Sequence, residues 1–185
     1  NQVFPQVGLR ADSSSAKRFH TMQGGTYSAV GAGGAITGRG AHLLIIDDPI
    51  KGREDAESET QRRNLIEWYK SVAYTRLQPG GKVIIVQTRW HQDDLAGHIL
   101  AESKEDWKVL DLPAIDDKGN ALWPEAYSKK DLEKIKDTVG QRVWQALYQQ
   151  QPSNDEGSII KREWWNIYDG EKIPSLSYVL QSYDT

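Results

Sequence analysis

The sequence predicts an α/β fold built on a parallel sheet, and three observations carry that prediction. Two apolar runs, Leu43-Leu44-Ile45-Ile46 and Val83-Ile84-Ile85-Val86, each end in a polar cluster, the pattern of strands buried on both faces. A stretch with helical periodicity, residues 54–76, lies between them. A second helix, residues 93–101, follows the second run, and the order strand, long helix, strand, helix implies parallel pairing.

Taken in order, residues 1–40 are rich in Gly and Ser, with short strands expected at 26–30 and 35–37 around Gly31-Ala32-Gly33-Gly34. Leu43 to Ile46 then runs into Asp47-Asp48-Pro49. The long helix opens on Glu54, Asp55, Glu57 and Glu59, with Arg62 and Arg63 further along, which suits the helix dipole; these acids read most simply as a solvated helix start. Leu65, Trp68, Tyr69 and Val72 give it one apolar stripe, and Gln78-Pro79-Gly80-Gly81 reads as the turn that ends it. The helix at 93–101 starts on two carboxylates, and residues 107–112 are expected to form a weaker third strand. Beyond Pro113 come polar turns, helices at 129–138 and 141–150, a linker at 152–157 and a last strand at 177–182. The division expected is 1–112, 113–176 and 177–185, with no internal repeat.

Composition narrows the class. The 185 residues suffice for one domain, or one and the start of another, and 38% hydrophobic with 26% charged residues is ordinary for a globular chain. No apolar run nears the roughly 20 residues of a membrane span, and no secretory signal opens the chain. The absent initiator Met suggests an excised piece. Zero cysteines exclude disulfides and thiolate metal sites, and a net charge of −3 excludes a uniformly basic nucleic-acid module.

The chemistry-bearing residues lie at strand ends, where parallel sheets place their ligands. Asp47 and Asp48 after four apolar residues form the Walker B arrangement: one carboxylate to hold Mg²⁺, a second to orient or deprotonate an attacking water. A strand ending in a polar turn at Asp48-Pro49 would look the same. Thr88, after the next run, is expected beside Asp47, where its hydroxyl could meet a γ-phosphate or simply satisfy backbone groups. Arg39, between Gly38 and Gly40, is either a guanidinium exposed toward a neighbour's nucleotide or the partner of a local carboxylate. His91 lacks a second histidine at ligand spacing and reads as a helix-start or surface residue. Trp164, Trp165 and Tyr168 beside Lys161 and Arg162 could stack on bases, but more simply anchor a linker.

Several segments in one order resemble the phage terminase large subunit family. They are Gly24-Gly25-Thr26-Tyr27-Ser28-Ala29, Ile36 through Pro49, Val86 through Leu95, Leu122-Trp123-Pro124-Glu125, Ala146 through Pro152, and Gln181-Ser182-Tyr183-Asp184-Thr185. The resemblance covers most of the chain from Arg10. It implies a partial sheet of the P-loop NTPase type (ASCE, RecA-like), a helical linker region and the first strand of an RNase H-like nuclease. Asp47 would then be the Mg²⁺-associated acid, Asp48 the residue activating water, Thr88 part of the coupling motif, Arg39 a candidate trans-acting arginine, and Asp184 a nuclease metal ligand. Many relatives carry Glu where Asp48 stands, which is one methylene longer.

Implied cofactors are ATP with Mg²⁺, and Mg²⁺ or Mn²⁺ for the nuclease. Implied partners are double-stranded DNA, the portal protein, a small terminase subunit and further copies in a ring, with no membrane, in the cytoplasm of the bacterial host. No G-x-x-x-x-G-K-[ST] loop occurs in the sequence, so the phosphate cradle is expected upstream and the isolated chain is expected to be inactive. A non-catalytic prophage remnant and a helicase-like ATPase are the rival readings. The segment from Ala146 to Pro152 disfavours the helicase.

Overall fold

The structure, a computed structural model, describes residues 4–36 and 38–153. Thr37, the aromatic cluster at Trp164 and Trp165, the expected strand at 177–182 and Asp184 lie outside the described residues. Asn1–Ser153 form one compact unit. It is mixed α/β, with a two-stranded parallel sheet and a three-stranded antiparallel sheet.

The parallel sheet pairs β4 (Ala41–Asp47) with β5 (Leu77–Val86), in register from Leu43↔Lys82 to Asp47↔Val86. Side chains alternate across a strand. Leu44, Ile46, Val83 and Ile85 turn toward the helices and join a core of Tyr69, Ala73, Leu95 and Ile99. The opposite face is open: Leu43, Ile45, Ile84 and Val86 are each about half exposed, at 46–56%. Burial on both faces, as the apolar runs suggested, is thus corrected to burial on one. Only one helical layer lies on these strands among the described residues, and the alternation exposes every second residue.

The long helix is segmented. Ser58 is extended (φ −75, ψ 110) and its side chain accepts the Gln61 N–H at 3.3 Å, so the chain restarts as a new helix. The acidic stretch becomes α1 (Arg53–Glu57), followed by α2 (Glu59–Trp68). A π-helical turn, Tyr69–Ala73, then puts Tyr69 and Ala73 into the core, and a 3₁₀ turn at Tyr74–Arg76 leads directly into β5. The expected turn at 78–81 is a bulge inside β5: pairing passes from Ala41↔Leu77 to Leu43↔Lys82. Gly80 there has φ 77, a conformation glycine adopts without strain.

Ahead of the parallel sheet stands an antiparallel meander, β1 (Leu9–Ser15), β2 (Arg18–Thr21) and β3 (Thr26–Ser28). Phe19 pairs with Tyr27 across it, their rings stacked at 4.7 Å. The strand expected at 26–30 ends at Ser28, where the Ala29 N–H turns to the Lys17 carbonyl, and no strand includes Ala35 or Ile36. Residues 107–112 are no strand either; no β-ladder takes them up among the described residues, and Val109 and Leu110 are exposed.

After α3 (Leu95–Glu102), the chain makes a turn bridged by Ile115↔Ala121 and then α4 (Lys129–Val139). A capping box between Ser128 and Asp131 opens α4, and Gly140 at φ 81 closes it. The short α5 (Gln141–Val143) runs into a second π-helical turn, Trp144–Tyr148.

Candidate active site

Parallel pairing brings the ends of β4 and β5 to one edge of the sheet. Asp47 stands opposite Val86, and the Asp48 N–H continues the ladder by donating to the Val86 carbonyl at 2.9 Å. Asp48 then turns to φ 38, a left-handed conformation uncommon for a residue with a side chain. That turn aims its carboxylate across the gap, and Oδ1 accepts the Thr88 N–H at 3.3 Å. Both carboxylates are exposed and Thr88 is half-buried. Thr88 therefore sits at the expected edge, but its bonded partner is Asp48 rather than Asp47.

Side chains around this pair hold it in place. The Arg89 guanidinium donates from Nε to both oxygens of Asp94, at 3.0 and 2.9 Å, and from Nη2 to the Gln92 carbonyl at 3.2 Å. Asp94 is fully buried and also caps α3, accepting the Gly97 N–H at 2.9 Å. A Cβ on Gly97 would stand 1.7 Å from the Gln92 carbonyl oxygen, so only glycine lets the loop lie this close to the helix. The Arg89 N–H is taken by Gln150 Oε1 at 3.2 Å.

His91 is half-buried, and its Nδ1 accepts the Asp93 N–H at 3.0 Å, a helix-start role. Burial, then the positive field of Arg62, lowers its pKa from the usual 6.5. Gln87, on the core side of β5, keeps both amide atoms buried with no hydrogen-bond partner among the described residues. An amide so placed is costly unless something engages it.

Arg39 lies elsewhere. It follows Gly38 (φ 67), and its Nη1 donates to Ser28 Oγ on β3; among the described residues it forms no ion pair. The Gly31–Gly34 turn closes on itself, Gly34 N–H to Gly31 carbonyl at 2.9 Å, and is held by Trp68 Nε1 donating to the Gly34 carbonyl at 2.8 Å.

In the sequence, Gln87 and Arg89 fall in the polar cluster that ends the second apolar run and Asp94 at a helix start, but Arg89, Asp94 and Gln150 carry no site role there. An acid immediately before an apolar helical run is an N-cap signal and could have singled out Asp94. No local signal marks Gln150, 61 residues from its partner. Among the described residues no group of three or more His, Cys, Asp or Glu could hold a metal ion. The edge offers the two carboxylates of Asp47 and Asp48 and no larger cluster among the described residues, which fits Mg²⁺ carried mainly by phosphate and water oxygens. No helix among the described residues is long and apolar enough to cross a membrane.

Two comparisons bear on identity. A family model described as terminase large subunit, T4likevirus-type, N-terminal, matches residues 6–167 of this chain. A comparison with curated proteins finds no match.

Proposed function

Because this chain belongs to the terminase large subunit family, whose role is phage DNA packaging, we propose that it supplies the carboxylate side of the ATP-hydrolysing site that drives double-stranded DNA into the procapsid. The observation that carries the reading is the joined strand edge: Asp47 and Asp48 end one parallel strand, and Thr88 follows the next, bonded to Asp48 at 3.3 Å.

With ATP and Mg²⁺ bound, Asp47 would hold the metal through one carboxylate oxygen or an intervening water. Mg²⁺ would supply charge neutralisation of the phosphates. Asp48, already turned toward β5, would accept a proton from, or orient, the attacking water. Thr88 would supply a polar group at the strand edge that a terminal phosphate would approach. The described residues include no phosphate-cradling loop; that part falls to another stretch of the working protein, and the P-loop type of the fold belongs to the same proposal. Arg39 would act toward a neighbouring copy in the ring. Asp184, which lies outside the described residues, would hold Mg²⁺ or Mn²⁺ in an RNase H-like nuclease that cuts the concatemer. The portal protein and a small terminase subunit complete the partners.

Steady-state ATP hydrolysis by the complete terminase tests this. Asp48→Asn is expected to lower kcat by about 10²- to 10⁴-fold with little change in KM, the usual cost of losing a general base. Asp47→Asn is expected to raise the Mg²⁺ concentration needed for turnover. Unchanged rates in both variants would overturn the reading and leave Asp47-Asp48 as a polar turn in a non-catalytic module. The 185-residue chain alone is expected to show no Mg²⁺-dependent turnover.

A further inference from the structure

Thr88 and Arg89 carry two successive backbone donors just past the end of β5, and they are taken by partners from different parts of the chain. The Thr88 N–H goes to Asp48 Oδ1 at 3.3 Å, and the Arg89 N–H to Gln150 Oε1 at 3.2 Å. Two successive peptides are thus held, Gln87–Thr88 by the candidate water-activating acid and Thr88–Arg89 by a residue far along the chain.

Gln150 is built for that grip. It stands two residues past the π-helical turn, at φ 58, where glycine would be the unstrained choice. Both ends of its amide are engaged: while Oε1 accepts from Arg89, Nε2 donates to the Leu147 carbonyl at 2.9 Å, which fixes the side chain against its own turn. Its neighbour Gln149 does the same in another direction. Gln149 Oε1 accepts the Ile115 N–H at 3.1 Å and Nε2 donates to the Ile115 carbonyl at 2.9 Å, so one side chain mimics a strand partner. The Ala114 N–H, next in line, donates to the Tyr148 carbonyl at 2.7 Å.

We infer that Gln149 and Gln150 form a clasp in which Gln150 is a positioning residue for the Asp48–Thr88 contact and Gln149 carries changes there into the turn at 114–121. The juxtaposition is specific. Adjacent side chains on one rigid turn hold the end of β5 with one amide and the Ile115 backbone with the other. A shift of the Thr88–Arg89 peptide displaces Gln150, and the turn that bears Gln150 also bears Gln149. The functional side of this role rests on the reading of Asp48 as a working group of the ATP site; the mechanical side does not.

Amide hydrogen exchange, followed residue by residue by NMR on the 185-residue chain without nucleotide, tests the clasp. Gln150→Gly removes the amide while relieving the left-handed backbone. It is expected to speed exchange of the Arg89 amide about five- to tenfold, as for one lost hydrogen bond, with Ile46 and Leu95 unchanged. Gln150→Glu keeps the acceptor for Arg89 and is expected to restore most of that protection.

Transmission is read from Asp48→Ala, which removes the acceptor of the Thr88 N–H and is expected to speed exchange at Thr88, Arg89 and Ile115 when Gln150 is present, and at Thr88 and Arg89 alone when it is Gly. An Ile115 response of equal size in both backgrounds would overturn the clasp, as would unchanged Arg89 exchange in Gln150→Gly. The hydrolysis assay is separate: loss of the ATPase reading through Asp48→Asn would leave these exchange results standing, and the reverse holds equally.

Discussion

Arg89 and Asp94 illustrate how much one ion pair can organise. Asp94 is fully buried, meets Arg89 Nε through both oxygens and also caps α3 through Gly97, so its charge is compensated by three separate contacts. Removing one member of such a pair leaves the other charge desolvated and unmatched, at a cost of about 3–5 kcal/mol. Asp94→Ala removes the partner and the cap together and is expected to lower unfolding free energy by about 3 kcal/mol or more. Asp94→Asn retains an acceptor for the Gly97 N–H and for Arg89, and its cost is expected nearer 1–2 kcal/mol. Urea midpoints of the two variants check the order; equal losses would mean that a neutral acceptor recovers nothing and that the charge carries the whole contribution. The strained Asp48 belongs beside this pair. Its φ of 38 is held between two contacts to the chain that ends β5, its N–H on the Val86 carbonyl and its Oδ1 on the Thr88 N–H, so a catalytic candidate sits where neighbours over-determine the backbone.

Elements divide into those whose causes are local and those whose causes are not. α4 is of the first kind. Ser128 and Asp131 satisfy each other's backbone donors, Leu132 is the buried anchor and Gly140 ends the helix, all legible in the sequence to within a residue. Ser128→Ala is expected to cost about 1 kcal/mol, read as a fall in thermal midpoint without loss of cooperativity. β4 and β5 were legible for the same reason, as were Asp47, Asp48 and Thr88 at their ends.

The break at Ser58 was present in the sequence as a cap residue, but the run from Glu54 to Arg63, acids first and arginines after, read across it as the opening of one helix. Of the meander only β3 was legible, inside the strand expected at 26–30; β1 is mostly polar, and the Phe19–Tyr27 stacking that joins β2 to β3 lies across strands. Expecting that strand did not reveal the placement of Arg39, whose partner Ser28 ends β3, because the contact spans 11 residues. Burial of the parallel strands on both faces failed for a different reason: an apolar run reports what a strand prefers, whereas exposure depends on which layers lie upon it. The contact of Gln150 with Arg89 depends on closing a 61-residue loop, and no pattern within either segment encodes it.

For the molecule as a whole, the pH range of stability follows from two groups whose surroundings are asymmetric. His91 is half-buried, with Arg62 and Arg142 repelling its proton and Asp93 and Asp94 attracting it; burial dominates, and its folded pKa lies below 6.5. Below that value the unfolded chain binds the proton more readily, so stability is fully present above pH 6.5 and declines as pH falls through the folded pKa. Asp12, Glu57, Asp116 and Asp131 are also lowered, each chiefly by hydrogen bonds to its charged form, and they act in the same sense at more acid pH. They are solvent-exposed, where such contacts are worth little, so the decline that begins near neutrality belongs to His91.

Tyr69 sets the alkaline side. Its phenol lies in the core, and burial, with Glu105 and Tyr74 adding to it, pushes the pKa up to about 12. The unfolded tyrosine ionises near 10, so stability is intact below that pH and is lost as pH rises from 10 toward 12, by on the order of 2 kcal/mol. A plateau from about pH 7 to 10 is therefore expected, with a fall on each side. His91→Asn keeps an acceptor for the Asp93 N–H but cannot titrate, so it is expected to extend the plateau toward pH 5. Tyr69→Phe keeps the ring in the core and is expected to flatten the alkaline arm alone. Unfolding free energies measured from pH 5 to 11 decide both: an acid arm unchanged by His91→Asn would assign it to the carboxylates, and an alkaline arm surviving in Tyr69→Phe would remove the buried phenol as its cause.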